Sequence, residues 1–163
     1  MGDKINSKNF CEKEGVPTLP KSSRVTDAKK IGFPILVKAS AGGGGKGMRI
    51  VHREADLAEA LSGAKREAKS SFDDGRVFLE KYIANSRHIE VQILGDKYGN
   101  VVHLGERECS IQRRHQKIIE ESPSPRLNND LREKITQTAV YLCEKLRYES
   151  AGTVEFIFDE DTN

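Results

Sequence analysis

The sequence predicts an α+β fold, and three observations carry that reading. Residues 87–95 alternate between polar and apolar, residues 54–72 and 130–146 repeat their apolar positions every three or four places, and four consecutive glycines separate two strand-like stretches. From the N-terminus, Asn6 and Ser7 open a short helical stretch through Glu14, which the cluster Gly15, Pro17, Pro20, Ser22 and Ser23 ends and turns into a loop. Residues 27–31 make another helical turn. The stretch 33–39 then reads as a strand, and after the glycine loop 48–52 reads as its neighbour. The helix over 54–72 places Leu57, Ala60, Leu61, Ala64 and Ala68 on one face with charges between them. Residues 77–82 are strand-like until Asn85 and Ser86 break the run. Within 87–95, Ile89, Val91 and Ile93 share one face, and His88, Glu90 and Gln92 share the other. A turn at 96–100 leads into a strand over 101–104, which makes a hairpin. Pro123 and Pro125 mark a loop before the helix over 130–146, whose stripe is Leu131, Ile135, Ala139, Leu142 and Leu146. The last strand covers 153–158. Residues 159–163 look like a turn with no strand behind them, and an unpaired apolar strand at a terminus is an aggregation liability. The chain is therefore expected to be cut there, and at Met1 as well.

At 163 residues the chain has the length of about one domain with a core of its own. Its 27 Lys and Arg stand against 25 Asp and Glu, and the formal charge of +2 is spread along the chain. That distribution lacks the basic tract a duplex nucleic acid requires, so no nucleic-acid partner is expected. No apolar run approaches the roughly 18 residues of a membrane span, and the start MGDKINSKNF has no apolar signal core, so neither a membrane nor a targeting signal is expected. Cys11, Cys109 and Cys143 are odd in number and form no C-x-x-C pair, which argues against a disulfide framework or a thiolate metal site and for a reducing compartment.

The strongest local signal is Ala39-Ser40-Ala41-Gly42-Gly43-Gly44-Gly45-Lys46-Gly47-Met48. Four glycines forfeit much conformational entropy on ordering, which suits a loop whose backbone N–H groups approach phosphate oxygens. A flexible hairpin tip is the alternative. A dinucleotide fingerprint would need a helix after the loop, where residues 48–51 read as a strand, and the Walker A spacing fails. What is left is a glycine lid between antiparallel strands. Lys38, alternating out of the strand before it, suits a phosphate, or is a solvated edge lysine. Glu80 interrupts an apolar run where a carboxylate and exposed backbone could read a ribose and a base. The row His88, Glu90 and Gln92 is equally the wet side of a sheet. Glu155 lies inside Val154-Glu155-Phe156-Ile157-Phe158, where an ionised carboxylate needs a cation: a magnesium ion, or a partner in a buried salt bridge. The segment Cys109-Ser110-Ile111-Gln112-Arg113-Arg114-His115-Gln116-Lys117 concentrates cations for an anionic substrate, or forms a basic surface loop. No spacing supports a hydrolytic triad or a zinc site.

Taken in order, MGDK, VKASAGGGGKGMR, FLEKYI, RHIEVQILGD, GERECSIQRRHQKIIEESPSP and SAGTVEF resemble the biotin carboxylase component of biotin-dependent carboxylases, which are ATP-grasp enzymes. The resemblance covers nearly all of the chain. It implies an ATP-grasp fold, with a linker helix over 1–18, a lid subdomain over 19–81 and the first half of the large subdomain over 82–163. It also implies the half-reaction: ATP and bicarbonate give carboxyphosphate, and the carboxyl group passes to N1 of biotin. By that resemblance Lys4 and Lys38 hold phosphates, Gly44 and Gly45 lie in the mobile lid, and Glu80, Lys81, Tyr82 and Ile83 form the hinge that reads ribose and adenine. His88, Gln112 and His115 complete the nucleotide pocket, Lys117 touches bicarbonate as the catalytic residue, and Glu155 binds magnesium (or manganese) together with ATP. The implied partners are a biotin carrier domain and a carboxyltransferase domain or subunit, in an oligomeric parent enzyme of the cytoplasm or mitochondrial matrix.

Against the family pattern, the stretch between Pro20 and Thr26 is several residues short, and the second metal carboxylate and the arginine-bearing segment would follow Asn163. The chain is thus expected to be the middle of an enzyme, inactive alone. Two other readings stay open: another carboxyphosphate-forming ATP-grasp ligase, and a nucleotide-binding or assembly module without catalysis.

Overall fold

The computed structural model describes residues 3–162, so Met1 and Gly2 of the MGDK start and Asn163 of the expected terminal turn lie outside the described residues. The chain divides into two compact units, Met1–Ile83 and Ala84–Asn163.

In the first unit, helix α1 (Lys4–Lys13) begins before Asn6, because Asp3 caps it: the Asp3 Oδ1 accepts the Asn6 N–H at 3.0 Å. Strand β1 (Lys21–Ser22) falls in the expected loop and is too short to show a period. A 3₁₀ turn at Val25–Asp27 runs into the one-turn helix α2 (Ala28–Ile31). Strands β2 (Ile35–Ala39) and β3 (Arg49–Val51) pair antiparallel on either side of the glycine loop. Strand β4 (Val77–Lys81) lies between β1 and β2, giving the order β1-β4-β2-β3. Helix α3 (Leu57–Phe72) sets Leu57, Leu61 and Ala64 on Ile35, Val37, Val51 and Leu79, the core of this unit. Each such Leu, Ile or Val, fully buried, contributes about 1.5–3 kcal/mol. One side chain lies against the four-glycine loop. Gly42, at φ 77°, passes so near Phe72 that a Cβ on it would lie 2.1 Å from the ring.

In the second unit, β5 (Ser86–Gly95), β6 (Val101–Arg113), β7 (Gln116–Glu121) and β8 (Ser150–Asp159) form an antiparallel sheet in the order β7-β6-β5-β8. Helix α4 (Asn129–Lys145), capped by Asn128, covers one face, where Val91, Ile93 and Val101 meet Ala139 and Cys143. The β5–β6 turn is held by Asp96, whose Oδ1 accepts the N–H groups of Tyr98 at 2.8 Å and Asn100 at 2.9 Å.

Two expectations change here. Strand β6 runs far past Leu104, and the segment 109–117, read as a cation cluster for an anionic substrate or a basic surface loop, is the hairpin of β6 and β7. Its alternation is hidden because Glu106 and Glu108 occupy buried positions that a hydrophobic pattern would assign to apolar residues. Arg113 pairs with Gln116, so Arg114 (φ 50°) and His115 (φ 68°) form a two-residue turn. Both sit in the left-handed region, at a cost of about 1–2 kcal/mol per residue that Asn-Gly would avoid. The last strand is also longer than expected: β8 pairs with β5 from Ser150 opposite Gly95 to Asp159 opposite Ser86, and among the described residues no strand lies on its other edge.

Candidate functional site

The first unit concentrates its chemistry around Glu80, which is 1% exposed. Register places Leu36 opposite Glu80 and Phe78 opposite Lys38, so Lys38 and Glu80 are diagonal neighbours on one face. Lys38 Nζ donates to Glu80 Oε2 at 2.6 Å, and Lys8 of α1 forms an ion pair with Oε1. Burial pushes the Glu80 carboxyl up, but the charges of Lys38 and Lys8 outweigh it and leave it below the usual carboxylate range. Lys4 Nζ donates to the Gly42 carbonyl, and the Lys4 N–H donates to Ser40 O at 3.0 Å. The start of α1 is thereby tied to the entrance of the glycine loop. Further along that loop, Gly44 has none of the described residues within 4 Å of where a Cβ would stand, and both Gly44 and Gly45 hold positive φ. Past Glu80, Lys81 Nζ donates to the carbonyls of Gly32 at 3.0 Å and Phe33 at 3.2 Å. The Tyr82 N–H donates to Pro34 O at 3.2 Å, and Tyr82 and Ile83 are half-buried.

The second unit builds its cluster on the sheet face that carries His88, Glu90 and Gln92. Glu90 is fully buried, accepts from Arg107 Nη2 at 2.7 Å through Oε2, and forms an ion pair with Lys117 through Oε1. Strand register sets Arg107 opposite Glu90 on β6 and Glu155 opposite it on β8. Two carboxylates facing each other across a sheet repel. Arg107 and Lys117 offset that repulsion, Lys117 lying also 3.6 Å from Glu155. The expected burial is reversed: Glu155 is 59% exposed, and the carboxylate taken for a wet-face residue is the one enclosed. Among the described residues β8 has one strand neighbour, β5, whereas Glu90 has β6 and β8 on both sides. The His88 imidazole, 3.6 Å away, and then Lys117 hold the Glu155 carboxyl down to about 2, so it is ionised at neutral pH.

Gln112 Nε2 donates to Cys109 O at 2.7 Å and lies 2.8 Å from His88 Nδ1. An amide oxygen in that place would face the Cys109 carbonyl, so the NH₂ group serves both neighbours. Nδ1 is then the acceptor and the proton of the neutral ring sits on Nε2, which faces Glu90 and Glu155 at 3.6 Å each. His88, Glu90 and Glu155 place one ligand atom each within 4.8 Å of one another. With its proton on Nε2, His88 has no lone pair to give a metal there, whereas the carboxylates are the hard oxygen donors that magnesium takes. The backbone behind His88 is held as well: its N–H donates to Ser110 Oγ at 3.0 Å, Ser110 Oγ donates to Glu108 Oε1 at 3.0 Å, and Ser124 Oγ donates to Glu108 Oε2 at 2.7 Å.

The sheet thus brings together His88, Gln112, Lys117 and Glu155, and it sets His115 at the exposed tip of the β6–β7 hairpin. Sequence reasoning passed over Lys8, Arg107 and Glu108 and gave Glu90 no role. Each becomes legible only with the fold, since a buried carboxylate demands a nearby cation but the sequence pattern does not show the burial.

The family described as the carbamoyl-phosphate synthase L chain, ATP binding domain, matches residues 3–163. Over its whole length the chain is 51% identical to the mitochondrial methylcrotonoyl-CoA carboxylase subunit alpha of Dictyostelium discoideum, of which it covers 24%. Biotin carboxylase from Campylobacter jejuni, solved as its β-γ-ATP complex, superposes with a TM-score of 0.96 at 47% identity, over all of this chain and 38% of that one. The biotin carboxylase domain of 2-oxoglutarate carboxylase from Hydrogenobacter thermophilus, solved with MgADP, ADP and bicarbonate, gives a TM-score of 0.95 at 50% identity over all of this chain and 38% of that one.

Proposed function

The chain belongs to the family of the carbamoyl-phosphate synthase L chain ATP-binding domain, an ATP-grasp fold, and on that premise we propose that it is part of a biotin carboxylase. The reaction joins bicarbonate to the γ-phosphoryl group of ATP with loss of ADP, and the carboxyl group then passes to N1 of biotin, which gives up its proton, as phosphate leaves. The observation that carries this reading is Lys117: an ammonium set on the sheet face between a buried carboxylate and an ionised, exposed one. It supplies a cation to attract bicarbonate next to the carboxylate that suits the metal of a nucleotide.

In the first unit, Lys38 and Lys4 neutralise phosphate oxygens, and the glycines beyond the Phe72 anchor, Gly44 and Gly45, close over them as the lid. Glu80, Lys81, Tyr82 and Ile83 form the hinge that reads ribose and adenine. In the second unit, His88, Gln112 and His115 contact the nucleotide, His88 as a hydrogen-bond donor through Nε2. Glu155, together with ATP oxygens, would hold magnesium, and the chemistry supplied there is neutralisation of the charge on the transferred phosphoryl group. By this reading residues 1–18 are a linker helix, 19–81 the lid and 82–163 part of the large subdomain. The whole enzyme works with a biotin carrier domain and a carboxyltransferase, as an oligomer, in the cytoplasm or mitochondrial matrix.

Oxygen-18 tests the chemistry. In the full-length protein, label from [¹⁸O]bicarbonate should appear in the released phosphate, because the bicarbonate oxygen that attacks phosphorus stays on it. Release of ADP with unlabelled phosphate would make the protein an ordinary ATPase, and absence of turnover would favour a module that binds nucleotide without catalysis.

A further inference from the structure

The arrangement around Glu80 poses a question that phosphate binding alone does not answer. Lys38, proposed above as a phosphate ligand, is already engaged by a carboxylate that is 1% exposed. If Lys38 turned to a phosphate and nothing else held Glu80, the sheet would contain a buried, unpaired charge, and such a charge opposes whatever creates it. The structure supplies a second cation. Lys8 approaches the other carboxylate oxygen from α1, outside the sheet, and Oε1 has no hydrogen-bond partner besides it among the described residues. The two lysines take one oxygen each, with side chains 24% and 19% exposed, so neither depends on the other to reach the carboxylate.

We propose that Lys8 is a positioning residue for nucleotide binding: it retains the Glu80 carboxylate while Lys38 exchanges that carboxylate for a nucleotide phosphate. Lys8 itself touches no nucleotide. Its role is to make Lys38 releasable, and helix α1 is thereby coupled to phosphate capture. The proposal rests on the reading of Lys38 as a phosphate ligand.

The test is a mutant cycle on the full-length protein, reading MgADP affinity by titration calorimetry, since ADP carries phosphates but does not turn over. Lys38→Met should weaken MgADP at least about ten-fold, the size of a lost charge-assisted contact. Lys8→Met should weaken it by roughly ten-fold when Glu80 is present and by less than about two-fold in an E80Q background, where no buried charge is left behind. Lys8→Arg, which restores the cation, should bind within about two-fold of the parent. Lys8→Gln carries the same comparison if Lys8→Met melts early. Equal losses with and without Glu80, or no loss at all from Lys8→Met, would overturn the role of Lys8 while leaving Lys38 in place. Unchanged affinity in Lys38→Met would instead remove the phosphate reading of Lys38, and the exchange with it.

Discussion

Two buried carboxylates, Glu80 in the first unit and Glu90 in the second, are each met by two cations, yet the surrounding charge differs in sign. Around Glu80 stand Lys8 and Lys38, so one positive charge is left over. Around Glu90 stand Arg107 and Lys117, but Glu155 lies opposite and Glu120 sits 3.2 Å from Arg107 Nε, so three carboxylates face two cations. A surplus cation suits a phosphate. A surplus carboxylate, ionised and exposed, suits a divalent metal. On the proposed reading, the same local device, a buried acid with paired bases, serves a phosphate in one unit and, through the exposed Glu155, a metal in the other.

The largest expected effect breaks the second cluster. Arg107→Met leaves three carboxylates, the enclosed Glu90 with Glu120 and Glu155, to Lys117, whereas loss of Lys38 leaves one carboxylate to one lysine. The Arg107 substitution should lower the unfolding free energy by about 3 kcal/mol in denaturant titration. A loss under about 1 kcal/mol would show that Lys117 alone compensates the carboxylates of this cluster and that the comparison fails.

The next effect separates ligand binding from folding in the first cluster. Lys38→Gln should reduce kcat/KM for ATP in the full-length protein by about ten-fold or more with little change in melting temperature, because Lys8 still holds Glu80. A melting temperature that falls in step with activity would make Lys38 structural.

Within the glycine loop the contrast is steric. Gly42→Ala puts a Cβ into the Phe72 ring and should destabilise by about 2 kcal/mol or more, whereas Gly44→Ala meets open space and should cost about 1 kcal/mol for its positive φ. Equal melting temperatures for the two variants would mean that Phe72 does not hold the loop.

The smallest effect is on pH dependence. Because Glu155 in the folded chain titrates at about 2, below its unfolded value of roughly 4.3, its contribution to stability is present above the unfolded value and is lost as pH falls toward 2. Glu155→Gln should flatten the acid limb of the stability profile between those values and leave the neutral region little changed. An unaltered acid limb would mean that His88 and Lys117 do not hold the carboxylate.

How much of this was legible in the sequence depends on what fills the interior. Helix α3 and strand β5 bury apolar residues, Leu57, Leu61 and Ala64 in the one and Ile89, Val91 and Ile93 in the other, and their periods could be read directly. The length of β6 could not, because Glu106 and Glu108 are buried through partners distant in sequence: Arg132 on α4, Arg87 on β5 and Ser124 in the loop before α4. Glu90 was concealed for the same reason, since a carboxylate in an alternating strand looks solvated until Arg107 and Lys117 are seen around it. Glu155, flanked by Val154 and Phe156, looked buried because those neighbours are apolar, whereas among the described residues β8 has a strand, β5, on one side.

Carboxylation of biotin is the central proposal for this chain, and the most direct measurement follows the carbon. The full-length protein is incubated with MgATP, [¹⁴C]bicarbonate and free biotin, and label is counted in biotin after unreacted bicarbonate has been removed as carbon dioxide. The account predicts labelled carboxybiotin that forms only with ATP present and falls at least about ten-fold in Lys117→Gln, whose lost ammonium no longer draws in bicarbonate. ATP consumed with bicarbonate but without label in biotin would contradict it, and would point to a carboxyphosphate-forming ligase with a different acceptor.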